Sequence, residues 1–116
     1  MAPEIPCSEL LMRLGDDEVL VLDCREDGEW ALSELQIPGA LRMNLHELQH
    51  GVTALPDDEL IVICGDKPDG ADARRAWRMI TAANRRAVCL HGGLHAWIAA
   101  GFPTERRIGF RPQLPG

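Results

Sequence analysis

No CxxC pair, no long apolar run and no excess of basic residues occurs in this 116-residue sequence. Each absence removes a class of protein. Cys7, Cys24, Cys64 and Cys89 are scattered, which fits neither a disulfide framework nor a zinc ribbon. Free thiols in a reducing cytoplasm are expected instead, with no metal site and no cofactor. No stretch approaches the ~20 apolar residues of a spanning helix. The first residues carry Glu4 and no basic stretch ahead of an apolar run, so nothing there resembles a signal peptide. Twelve Lys and Arg against 18 Asp and Glu leave a net charge of −6, which disfavours phosphate backbones. Nucleic acid is not an expected ligand. Internal repeats and low-complexity tracts are also lacking.

What is present is one domain's worth of chain, 46% hydrophobic, long enough to bury a core without staples. Its centre is Leu60 to Gly70. Leu60, Ile61, Val62 and Ile63 form a short apolar run that reads as a buried strand and ends at Cys64. Gly65, Asp66, Lys67, Pro68, Asp69 and Gly70 form a loop, and Ala71 to Ala83 reads as a helix. At such a junction unpaired backbone N–H groups and the helix dipole converge. A sulfur held there is expected to be stabilised as the reactive thiolate.

The remaining elements alternate around this unit. Pro6 to Leu14 reads as a short helix that Ser8 can cap. Val19 to Leu22 is a strand ending at Asp23, Cys24 and Arg25, and a brief helix carries Trp30 and Leu32. Pro38-Gly39 makes a turn, Ala40 to Leu45 is extended, and His46 to His50 makes one helical turn closed by Gly51. Ala87 to Leu90 is a further strand, and Gly92-Gly93 leads to a helix from Leu94 to Ala100. The alternation predicts an α/β fold, a small mainly parallel sheet with helices on both faces and right-handed crossovers. Ligands in such sheets sit beyond the strands' carboxyl ends, where Cys64, Asp23 with Arg25, and His91 all fall. Residues 1–105 are expected to form the domain. Residues 106–116 are expected to be an irregular or partly disordered tail.

Blander readings stand beside the sharp ones. Cys24 and Cys89 read as core thiols, although Cys24 is a conceivable resolving partner for Cys64. His46 and His50 have the four-residue spacing of metal ligands on a helix, but no third ligand is evident. Arg74, Arg75 and Arg78 read as a solvated helix face, from which Arg74 is close enough to the loop to reach a bound anion. The three tryptophans read as packing residues.

Three stretches together resemble the rhodanese (thiosulfate sulfurtransferase) homology domain, from about Pro6 to Glu105. They are Leu22-Asp23-Cys24-Arg25-Glu26 with Glu29-Trp30 and Ile37-Pro38-Gly39-Ala40; the strand ending at Cys64; and Leu90-His91-Gly92-Gly93 with Ala96-Trp97 and Gly101-Phe102-Pro103. The resemblance implies a single-domain, three-layer α/β sulfurtransferase. In it Cys64 accepts a sulfane sulfur as a persulfide and passes it to a thiophilic acceptor. Gly65 to Gly70 and Arg74 would bind the donor, which is thiosulfate, a persulfide or a polysulfide. Asp23, Arg25 and His91 would organise the rim. The partner implied is a small sulfur donor or a sulfur-carrier protein; the oligomeric state is not implied.

The family's loop often has a base five positions after the cysteine, where this chain has Asp69, and often a histidine at Gln36. With Asp66 and Asp69 in the loop, each close contact to a divalent anion costs ~1 kcal/mol in a water-like dielectric. A persulfide or polysulfide donor, or a partner protein, is therefore expected to serve better than thiosulfate. Phosphatase relatives need an arginine six residues after the cysteine to clamp an oxyanion, and Gly70 stands there. The alternative to an enzyme is a catalytically weak rhodanese-like binding or regulatory module, or a redox sensor.

Overall fold

The computed structural model describes residues 2–107. Its strands and helices run β1 (Glu4–Ile5), α1 (Cys7–Arg13), β2 (Val19–Asp23), α2 (Asp27–Leu32), β3 (Leu35–Gln36), β4 (Leu41–Arg42), α3 (Leu45–Gly51), β5 (Leu60–Cys64), α4 (Ala71–Ala82), β6 (Ala87–Leu90), α5 (Gly93–Ala99) and β7 (Glu105–Arg106), with a 3-10 turn over Val52–Ala54. Five strands form one parallel sheet in the order β1-β6-β5-β2-β4. The expected α/β architecture is therefore the one observed.

The apolar run of β5 lies at the middle of the sheet because it is buried on both sides, as parallel strands between helical layers must be. Alternate residues serve different layers. Ile61 and Ile63 pack with Leu48 of α3 and Ala73, Ala76 and Ile80 of α4. Val62 and Cys64 pack on the other side with Leu10 of α1 and Leu94 and Trp97 of α5. Trp97 is fully buried, and its indole N–H donates to the Pro103 carbonyl at 2.7 Å. No helix among the described residues is long and apolar enough to cross a membrane.

Three local expectations change. The first helix is capped at Pro6, in extended conformation and without a side-chain cap, so Ser8 lies inside the helix rather than ahead of it. The turn expected over His46–His50 begins at Leu45, because Asn44 and Glu47 form a reciprocal capping box there. Arg106, expected in an irregular tail, instead pairs with Leu35 in the antiparallel β3·β7 ribbon, where Glu105 faces Gln36. Arg107 is buried beside it, donating to the carbonyls of Ser33 and Ala31. The remainder of the tail, 108–116, lies outside the described residues.

Candidate active site

Parallel register brings the strand ends to one rim. Asp23 of β2 stands opposite Cys64 of β5, and the Cys24 amide donates to the Cys64 carbonyl at 3.0 Å. From the neighbouring strand end, the Leu94 amide donates to the Gly65 carbonyl at 3.0 Å. That approach requires Gly93, whose φ is +61° and whose Cβ, if present, would lie 2.6 Å from the Gly65 oxygen.

Asp23 and Arg25 form a buried, two-pronged ion pair under this rim. The Arg25 side chain is fully buried and donates through Nη2 and Nε to the Asp23 carboxylate at 2.7 and 3.0 Å. The Arg25 amide also donates to Asp23 Oδ1 at 3.1 Å, and Nη2 reaches the Leu35 carbonyl. Arg25 Nη1 has no hydrogen-bond partner among the described residues. Its charge acts on both Cys64 and Asp66.

Cys64 itself is 2% exposed. Its thiol points into the α1/α5 layer and donates to the Gly65 carbonyl at 3.9 Å. Burial pushes the thiol well above its ordinary value, and the neighbouring Asp23 charge pushes it further. Both effects oppose the expected thiolate, and the amides of Asp66 and Lys67 do not turn to the sulfur.

The amides serve another anion. Asp72, in the first turn of α4, is 4% exposed. Its Oδ2 accepts from the amides of Asp66 and Lys67 at 2.8 and 3.3 Å, and its Oδ1 accepts from the Ala73 amide at 2.8 Å. Gly65 is matched to this carboxylate, since a Cβ there would lie 2.6 Å from Asp72 Cγ. Gly65→Ala is accordingly expected to cost about 1–3 kcal/mol, the range for overpacking a tight interior, read from urea denaturation. A loss within 0.5 kcal/mol would mean the carboxylate moves aside freely.

The other loop acids are engaged elsewhere. Asp66 Oδ1 lies 2.9 Å from His95 Nε2, and burial raises the pKa of its carboxyl. Asp69 accepts from the Ala71 amide at 3.0 Å. Lys67 crosses to α2, pairing with Glu29 and with Glu26 at 3.3 Å, and these carboxylates hold its ammonium pKa up at about 12. Arg74 donates back to the Asp69 carbonyl. Gln36 is buried and donates to Glu105 at 2.8 Å, tying β3 to β7.

A cleft of about 640 Å³ opens beside the loop, lined by Lys67, Pro68, Asp69, Gly70, Arg74 and His91 among others. Cys89 lines it; Cys64 does not. Cys89 and Cys24 belong to the α3/α4 layer, on the other side of the sheet from the Cys64 sulfur. Cys24 and Cys64 thus pack into different apolar layers, although the charge of Cys24 bears on Cys64 across the strand ends. His91 is exposed, with Nδ1 3.4 Å from Glu4 Oε1, and so engages the β1 edge. His46 and His50 stack edge to face at 4.9 Å on the exposed side of α3.

Asp72 was not singled out in the sequence. The signal was available: an acid in the first turn of a helix, directly after a glycine-flanked loop, is placed to accept orphan amides.

Comparison with known proteins places this rim in context. The family model described as Rhodanese-like domain matches residues 7–100. A protein named probable 3-mercaptopyruvate sulfurtransferase from Pseudomonas aeruginosa is 34% identical over 140 aligned residues, covering 93% of this chain. The chain spans about half the length of that curated relative, 49%. The crystal structure of a thiosulfate sulfurtransferase from Pseudomonas aeruginosa is similar at TM-score 0.78 and 29% identity, over 95% of this chain and 20% of that one. A full-length protein from Lactobacillus plantarum shares the fold at TM-score 0.81 and 22% identity, over 90% of this chain and 88% of that one. With the parallel five-stranded sheet, the cysteine at the end of its central strand and a family match over most of the chain, this protein belongs to the rhodanese-like domain family.

Proposed function

We propose that the domain transfers sulfane sulfur through a persulfide on Cys64, from a closed resting loop. The observation that carries this reading is the place of Cys64: the last residue of the central strand, opening directly into the Gly65–Gly70 loop where β2 and β5 end in register. The sulfurtransferase names of the relatives support it, as do the four free thiols, which suit a reducing cytoplasm.

The chemistry balances as two displacements. Once deprotonated and exposed, the Cys64 sulfur attacks the outer sulfur of the donor. With thiosulfate the S–S bond breaks and sulfite leaves with the electron pair. With a persulfide donor, a thiol leaves. The acceptor, a thiolate or cyanide, then attacks the outer sulfur of the Cys64 persulfide, and the cysteine departs as thiolate. Lys67, Asp69 and Arg74 border the approach to the loop. A small sulfur donor or a sulfur-carrier protein is the partner this reading calls for.

A second reading, a rhodanese-fold binding module without turnover, is favoured by one specific observation: the loop's amides already hold Asp72 while Cys64 is buried. Mass spectrometry separates the two. Incubation with glutathione persulfide is expected to add about 32 Da, one sulfur atom, to the Cys64 peptide. Cyanide should then remove it with release of thiocyanate, and Cys64→Ala should show neither. A folded chain that gains no sulfur from persulfide or thiosulfate would leave the binding module as the function.

A further inference from the structure

We propose that Asp72 is a built-in anion that determines donor specificity: its carboxylate occupies the loop's donor nest and excludes free oxyanions such as thiosulfate. The inference rests on the reading of this loop as a sulfur-transfer site and identifies which donors that site accepts.

The geometry is that of a ligand already bound. Two successive amides, Asp66 and Lys67, converge on Asp72 Oδ2 at 2.8 and 3.3 Å. Successive backbone N–H groups in this arrangement make an anion-binding concavity, reinforced by the positive end of a helix. The helix is α4, twelve residues long, and Asp72 sits in its first turn. The carboxylate is sequestered from water, and the absence of a side chain at Gly65 leaves room for it against the backbone.

Charge adds to occupancy. A dianion approaching the same amides meets Asp72 inside the nest, with Asp66 and Asp69 in the same loop. Lys67 is committed to Glu26 and Glu29 on α2, and Arg74 to the Asp69 carbonyl. The cations nearest the loop are thus engaged before any ligand arrives. A donor that presents a neutral or singly charged sulfur to Cys64 has no need of the nest. Small persulfides, or a persulfide carried on another protein, are of that kind. Asp72 acts here as a specificity-determining residue, with no part in bond making.

The test uses the whole chain and reads binding separately from turnover. Backbone amide resonances of Asp66 and Lys67 are followed by NMR while thiosulfate, and sulfate as an inert control, is added. In the wild type these two amides are expected to stay fixed through about 10 mM anion. In Asp72→Ala they should shift saturably, and kcat/KM for thiosulfate should rise at least tenfold relative to that for glutathione persulfide. Asp72→Asn, which keeps an acceptor oxygen and removes the charge, should fall between the two, and it reads the charge component should the alanine variant not fold.

Saturable thiosulfate binding to the wild-type nest would overturn the proposal. So would a folded Asp72→Ala whose Asp66 and Lys67 amides ignore both anions, or an unfolded Asp72→Ala paired with an Asp72→Asn indistinguishable from wild type. Restored anion binding without sulfur transfer on any variant would keep the nest assignment and remove the sulfurtransferase reading instead.

Discussion

Iodoacetamide is expected to label Cys64 in the folded chain at least ~100-fold more slowly than a free cysteine at pH 8, with no levelling of the rate below about pH 9. Two effects multiply. Alkylation goes through the thiolate, and burial together with the Asp23 charge raises the thiol pKa. A raised pKa lowers the thiolate fraction at every pH below it, so the rate keeps climbing with pH where an activated cysteine would already have levelled. The sulfur is also sheltered among Leu94, Trp97 and the strands, so the reagent must wait for the loop to open. Peptide mapping of the labelled protein between pH 6 and 10 gives the profile. Fast labelling with a midpoint near 7 would mean that the loop amides turn onto the sulfur in solution, and the closed resting state would fail.

Arg25→Leu is expected to destabilise the domain by about 3–5 kcal/mol, the usual cost of leaving one member of a buried pair behind. For a chain whose total stability lies at about 5–15 kcal/mol, that is a large share. The reason is local: Asp23 is 3% exposed, and it would keep the Arg25 backbone amide while losing both guanidinium donors. The Leu35 carbonyl would lose its Nη2 contact as well. Urea denaturation measures the loss. Adding Asp23→Asn to Arg25→Leu should recover part of it, because an amide tolerates burial where a lone carboxylate does not. A loss below 1 kcal/mol for the single variant would show that water reaches the pair and that the rim is not a sealed unit.

Much of the scaffold is legible in the amino-acid sequence. β2, β5 and β6 announce themselves as apolar runs, and their observed ends fall within one residue of the expected ones. The helix after the loop runs to Ala82 against an expected Ala83. What escaped was set by distant partners. β1, β3 and β7 are two residues each, too short to carry a period; β1 exists because Cys89 and Leu90 lie alongside it, and β3 and β7 exist by pairing with each other.

The site divides the same way. The position of Cys64 at a strand end follows from the chain's local pattern, and the carboxylate pair of Arg25 was placed at the same rim. Which group the loop's amides would serve depended on the three-dimensional closure of the loop, in which Asp72 comes back across six residues to Asp66. The acids that drew attention in the sequence, Asp66 and Asp69, turn to His95 and to the Ala71 amide.

Cys24, just past the end of β2, and Cys89 of β6 both lie close to Cys64 in the pairing of the sheet, yet both pack into the opposite apolar layer. A sulfenic acid formed at Cys64 therefore faces an apolar layer that the sulfurs of Cys24 and Cys89 do not share. Its rescue from irreversible oxidation would then fall to an incoming thiol such as glutathione, and the burial that shelters the Cys64 sulfur would delay oxidant and rescuing thiol alike.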